Sequence, residues 1–259
     1  MPDRSLILPA LASTPETPSL PFDEILHNPP RPVPLWRASD EVDDWLRTAR
    51  SEAAHAPSAM AKPAEWLLDN HFQIRRAIRE IANTLPRGFY VRLTALGGDG
   101  QGYPRAYVLA HRLLAESRMQ LSLAGAIRYI DDYQQRYPLT IAELWAFPNL
   151  LRIACLETLV ATFGTLVTGD AATRLASPLR AIAVDLPPDE QAARAIANLI
   201  EIATIQWEEF FDATSLVEHV LRHDPAAAYP RMDFVSRNHY RAVIEDFARH
   251  SRASELELA

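Results

Sequence analysis

The sequence predicts an all-α fold, a multi-helix bundle preceded by a proline-rich disordered arm. Three observations predict it. Apolar residues recur at helical spacing almost everywhere beyond residue 38, caps and prolines punctuate those runs, and nine of the twenty prolines fall in the first 34 residues. Helical periodicity with start and stop signals argues for amphipathic helices. Dense proline removes backbone donors and pushes each preceding residue to extended conformations. The expected organisation is therefore an arm over 1–37 and a helical domain over 38–259, with a subdivision near 167–188 where the pattern loosens.

Within the arm, Leu6, Ile7, Leu8, Phe22, Ile25 and Leu26 are docking points if the segment wraps the surface; a free tail is the other reading. Ser39, followed by Asp40 and Glu41, suits an N-cap for a helix carrying Val42, Trp45, Leu46 and Ala49. Pro63 suits a first turn, after which Leu67, Asn70, Ile74, Ala77, Ile78, Ile81 and Leu85 share a face and Pro86 ends the helix. Between Gly88 and Thr94 the apolar residues alternate, but a lone strand has no ladder partner, so extended loop is expected. Pro104 opens the next helix and Ser122 caps another running to about Gln135. Thr140 and Glu143 form a capping box ahead of a helix apolar nearly all round, which predicts the buried centre of the domain, with Pro148 breaking or kinking it after Ala146. A long pattern from Asp189 to Leu221 stops at Asp224-Pro225, and Ser236 is read as the cap of a last full helix. The final six residues, from Ser254 to Ala259, read as a cap and first turn too short to nucleate alone. The reading taken is of a sequence that stops inside a longer protein.

Composition narrows the function. Residues are 48% hydrophobic and 23% charged, as in ordinary globular domains. A net charge of −7 argues against a dedicated nucleic-acid binder, which needs a basic footprint. Cys155 is the only cysteine and Lys62 the only lysine, so disulfides, cysteine metal clusters, a Walker A loop and a Schiff base are ruled out or nearly so. The most apolar run, Ile153 to Thr168, is short for a membrane span and carries Glu157.

Few motifs offer chemistry. Gly97–Gly102 precedes a helix and is a candidate anion cradle, but the βαβ context and glycine spacing are absent, so a flexible loop is the simpler reading. His219 and His223 have metal-ligand spacing without a third ligand beyond Asp224, and a solvated helix end explains them. Glu52-Ala-Ala-His55 is a single Glu-x-x-His element where a di-iron bundle needs two. Cys155 lies in the most apolar helix, where burial blunts a thiol. No catalytic or metal-ligating residue is assigned. The clusters Pro86-Arg-Gly-Phe-Tyr90 and Gly102-Tyr-Pro-Arg105 combine arginine, aromatic and turn-former; structural corners buttressed by Arg–carbonyl bonds are the preferred reading, and Arg87, Tyr90, Tyr103 and Arg105 are the candidate interaction surface if the clusters bind a partner.

Several blocks carry a resemblance. They are Ala64-Glu-Trp-Leu-Leu-Asp-Asn70, Ile78-Arg-Glu80, Leu85-Pro-Arg-Gly-Phe-Tyr90, Gly102-Tyr-Pro-Arg105 and the run from Pro138 to Ala146. Further on come Trp207-Glu-Glu-Phe-Phe211, Ser215-Leu-Val-Glu218, the stretch from Val220 to Pro225, Arg231-Met-Asp-Phe234 and Arg237 to Arg241. In collinear order over residues 63–259, they resemble the N-terminal cytoplasmic region of bacterial cyclic β-1,2-glucan synthases. The resemblance implies a large inner-membrane enzyme that builds β-1,2-glucan on itself from UDP-glucose, then closes and releases the ring. It also implies that the metal-binding transferase domain lies downstream, so UDP-glucose and a divalent metal would belong to that absent domain and no cofactor to this chain. No Asp-x-Asp motif occurs, and the family's catalytic residues map onto no position. The resulting expectation is a non-catalytic helical segment at the cytoplasmic face of the inner membrane. Its partners would be the catalytic and membrane domains of the same polypeptide or of a partner synthase. A stand-alone helical adaptor for a protein or β-glucan is the alternative, and an independent enzyme with an anion site over 97–105 a third reading.

Overall fold

The computed structural model describes residues 25–26, 29–33, 39–53, 61–97, 102–164, 182 and 184–259. Most of the proline-rich arm, Ser39's side chain, His55 and residues 98–101 of the glycine-rich loop fall outside these, as does most of the loose 167–188 stretch. Among the described residues there are eleven α-helices and two two-residue strands, as the all-α reading expects. The helices are α1 (Ser39–Ala53), α2 (Ala61–Thr84), α3 (Arg87–Tyr90), α4 (Arg105–Glu116), α5 (Leu123–Gln134), α6 (Ile141–Gly164), α7 (Pro188–Thr204), α8 (Trp207–Thr214), α9 (Leu216–Leu221), α10 (Phe234–His250) and α11 (Glu255–Leu258).

The core is organised around α6. Along it Ala146, Phe147, Leu150, Leu151, Ile153, Ala154 and Cys155 are wholly buried. Helices α4, α7, α2, α8 and α10 all pack on it, α1 packs on α2, and α5 packs on α8. Each large apolar side chain so buried stabilises by roughly 1.5–3 kcal/mol. The helix has the length and mean hydropathy, 1.3, of a membrane span, yet 83% of that window is buried inside this fold. Pro148 does not break it: α6 runs continuously through the proline. A proline removes one hydrogen bond and costs about 3 kcal/mol, which packing on several sides at once outweighs here.

Several boundaries differ from the sequence reading. The long pattern after Asp189 is three helices, not one. Ser215 accepts the Glu218 amide and starts α9, while the Trp207 indole donates to the Ile202 carbonyl across the α7–α8 corner. The last full helix is capped by Asp233, whose carboxylate accepts the Ser236 amide at 2.7 Å, so Ser236 lies inside the helix. The stretch after Pro86 is a helical turn, α3, rather than extended loop. A strand does follow it, β2 (Ala95–Leu96), and its partner comes from the arm: β1 (Ile25–Leu26) pairs antiparallel, Ile25 opposite Leu96. Ser122 and the Thr140–Glu143 box cap as read.

The C-terminal turn is held by tertiary contacts. Ser254 and Glu257 form a reciprocal capping box, Glu255 accepts the Ile141 amide at the start of α6 at 2.8 Å, and Leu256 and Ala259 pack on the core. A four-residue helix cannot nucleate alone, but docked contacts offset that cost.

Candidate functional site

The four residues read as an interaction surface do not share one. Arg87 is exposed on α3 and Tyr103 is half-buried, its ring 5.8 Å from that of Tyr107. Tyr90 is inside: its hydroxyl donates to the Arg31 carbonyl at 2.7 Å and accepts the Val33 amide at 3.1 Å. Its work is to fasten residues 29–33 to the helical body, and burial pushes its ionisation well above the ordinary phenol range. Arg105 is 3% exposed and forks onto Glu143 with contacts of 2.9 and 2.6 Å, its second amino group also reaching the Pro138 carbonyl. Glu143 simultaneously accepts the Thr140 amide, so one carboxylate caps α6 and ties it to α4. A bidentate pair of this kind leaves Arg105 no free face for a ligand.

The glycine-rich corner is likewise committed where it is described. Gly102, at φ +78°, donates to the Leu96 carbonyl and accepts the Arg31 amide, and the Arg105 amide donates to Thr94. These amides are spent on closing the β2 corner. The left-handed φ explains glycine at residue 102, since a Cβ there would meet the Arg31 side chain only at ordinary contact distance, 3.4 Å.

Deeper inside, α8, α9 and α10 are joined by an ionic cluster. Glu218, wholly buried, receives Arg222 at 2.8 Å, Arg241 at 2.9 Å, the Tyr229 hydroxyl at 2.6 Å and Arg237. Asp212 takes the far ends of the same three guanidinium groups at 2.8–3.0 Å. Arg241, also wholly buried, lies 4.7 Å over the Phe211 ring and 5.0 Å over Phe234. Despite burial, the Tyr229 hydroxyl and the arginines hold the Glu218 carboxyl down at about 2. A second buried carboxylate, Glu157 on α6, accepts Tyr107 at 2.7 Å and His111 at 3.1 Å. Its other oxygen has no hydrogen-bond partner among the described residues.

Each of these groups joins helices to one another. Cys155 is wholly buried and its thiol is pushed up to about 12 by desolvation. His223 bonds back to the His219 carbonyl, and Asp224 accepts the amides of Ala226, Ala228 and Tyr229 instead of facing a metal. Among the described residues no group of three metal-type ligands is assembled.

Two clefts remain. One, of about 560 Å³, lies beneath α11 and is lined by Arg92, Arg105, Thr140, Glu245, Arg249 and Glu255. Its charges are matched internally: Arg92 pairs with Glu245, Arg105 with Glu143 and Arg249 with Asp246. The other, of about 650 Å³, lies between α2 and the start of α7 and is lined by Glu65, Trp66, Asp69, Asn70, Asp189, Glu190 and Ala193.

Sequence reasoning missed the Asp212–Glu218–Arg237–Arg241 cluster as a unit. Its local signal was present: Glu218 with Arg222 and Arg237 with Arg241 stand four apart, so each pair shares a helix face.

No family model matches the chain. Among curated proteins, it is 27% identical over 291 aligned residues to the cyclic β-(1,2)-glucan synthase NdvB of Rhizobium meliloti (strain 1021). The alignment covers 86% of this chain and 10% of that synthase, so the chain spans about a tenth of its relative's length. The resemblance read from the sequence blocks is thus matched by a relative of the same family name: the chain is related to a segment of a cyclic β-glucan synthase.

Proposed function

We propose that this chain is the helical N-terminal segment of a cyclic β-1,2-glucan synthase-like glucosyltransferase, and that it acts as a rigid support rather than as a source of reactive groups. The observation that carries the reading is the alignment of 86% of the chain with a tenth of such a synthase. The chemistry of the interior agrees with it. Glu143, Glu218, Asp212, Arg105, Arg237 and Arg241 are consumed in contacts between helices, an arrangement that confers shape. On this reading the segment packs against the catalytic and membrane domains of the same polypeptide or of a partner synthase, at the cytoplasmic face of a bacterial inner membrane. UDP-glucose and a divalent metal are handled by the transferase domain.

The alternative, a stand-alone adaptor gripping a partner through the Arg/aromatic corners, has less support because Tyr90 and Arg105 face inward. The test has two arms. Membranes carrying a synthase with and without this segment are assayed for β-1,2-glucan formed from radiolabelled UDP-glucose, and the purified chain is incubated with UDP-glucose and magnesium. Loss of assembled synthase or of glucan on deletion, with no turnover by the chain alone, is expected. UDP-glucose turnover by the purified chain overturns the proposal.

A further inference from the structure

We propose that the cleft between α2 and the first turn of α7 is a subsite for a neutral sugar chain, with Trp66 as the stacking platform. Four features converge there. Trp66 is 41% exposed although tryptophan is highly buried on average, and it stands one helical turn before Asn70, so indole and amide share one wall. The opposite wall brings Asp189 and Glu190, and the space of about 650 Å³ lies in the ordinary range of small-molecule sites. Among the described residues no lysine, arginine or histidine lines it. Among the described residues, the carboxylates of Glu65, Asp69 and Asp189 hold no hydrogen bond or ion pair, while Glu190 is steadied by Arg194 at 2.5 Å.

That arrangement works against the fold. Glu65 and Asp69 are like charges four apart on one helix, which destabilises it, and they face a second acidic pair across the cleft. Asp189 and Glu190 have a partial structural reason, since acidic groups favour a helix N-terminus, but Glu65 and Asp69 lie beyond the first turn of α2. The chemistry of the lining then selects the ligand class. Among the described residues, phosphates and nucleotide sugars meet four carboxylates whose neighbouring cation, Arg194, is already taken up by Glu190, and are repelled. A divalent metal lacks a converging set of three ligands among the described residues. A polyhydroxylated neutral chain fits: carboxylate oxygens accept its O–H groups in charge-assisted bonds, Asn70 keeps its oxygen and one N–H for it while the other N–H donates to the Trp66 carbonyl at 3.0 Å, and the apolar indole face takes the C–H face of a pyranose ring.

The choice of β-1,2-glucan as probe rests on the proposed function; the sugar class rests on the cleft. The experiment titrates the full chain with linear β-1,2-glucooligosaccharides, read by tryptophan fluorescence and calorimetry, with UDP-glucose and an oligoarginine peptide as comparison ligands. Saturable glucan binding is expected, weakened at least tenfold in Trp66→Ala, largely restored in Trp66→Phe and lowered severalfold in Asp69→Asn, with UDP-glucose failing to compete. Unfolding curves of the variants exclude a loss of fold. No saturable binding of the glucan at tens of millimolar overturns the proposal, as does Trp66-dependent binding of the peptide without the glucan. Either result leaves the supporting role standing, since that role is judged by synthase output and by UDP-glucose turnover.

Discussion

Replacing Glu218 by Gln is the sharpest probe of how the C-terminal helices are held. The side chain keeps its shape and still accepts the Tyr229 hydroxyl, but Arg222, Arg237 and Arg241 are left with Asp212 alone. In the folded state the Glu218 carboxyl is held at about 2 rather than 4.5, chiefly by the Tyr229 and arginine hydrogen bonds working against burial. That difference corresponds to about 3 kcal/mol of folding stability, and removing one partner of a buried ion pair typically costs about 3–5 kcal/mol. The sign follows from the depression: the contribution is complete above the unfolded value near 4.5 and disappears as pH falls toward 2. Urea unfolding of the native chain and Glu218→Gln by far-ultraviolet circular dichroism, from pH 7 to pH 3, is the assay. The stability gap should be about 3 kcal/mol at pH 7 and shrink to about half that at pH 3. Taking the difference between the two proteins cancels the titration of groups they share. A gap below about 1 kcal/mol at pH 7, or one independent of pH, would refute the reasoning.

Other outcomes follow from the same geometry. Tyr90→Phe should lower stability by about 1–3 kcal/mol, because the Val33 amide is left buried without its acceptor, and limited proteolysis should then cut first near residues 29–33. Tyr107→Phe should cost a similar ~1–3 kcal/mol in urea unfolding, since the buried Glu157 carboxylate loses its closest donor. Cys155, buried and with its thiol pushed up to about 12, should react with a thiol reagent at neutral pH only as fast as the chain unfolds, so rapid modification of the native protein would contradict its placement. Glu255→Ala should free the Ile141 amide and loosen α11, raising hydrogen exchange at Ile141 and over 254–259 while leaving the α6 centre protected.

Much of the local architecture was readable because it depends on neighbours in the chain. Ser122 and the Thr140–Glu143 box act over three residues, and the all-round apolar pattern of α6 is a statement about burial that needs no partner's identity. The misreadings share the opposite cause. Pro148 is a breaker by local rules, yet the packing around α6 overrides it. Gly88–Thr94 alternates like a strand, but the strand that forms lies just beyond it and is completed by Ile25 and Leu26, some seventy residues earlier. Arg87, Tyr90, Tyr103 and Arg105 had a composition that suits structural corners and binding surfaces alike, and composition does not say which way a side chain points. Two of them turned inward because Arg31, Val33 and Glu143 supplied partners there.

Taken alone, the order of amino acids determined the helical class, the identity of the central helix, most caps and the kinship with a glucan synthase segment. All of these are carried by periodicity and by short-range or collinear patterns. Tertiary structure alone decided that two carboxylates from α8 and α9 would meet Arg222, just after α9, and two arginines of α10, that a four-residue helix would hold, and that Trp66 would face open space beside four carboxylates. Those outcomes depend on contacts between residues far apart in the chain, whose geometry exists only once the helices have packed.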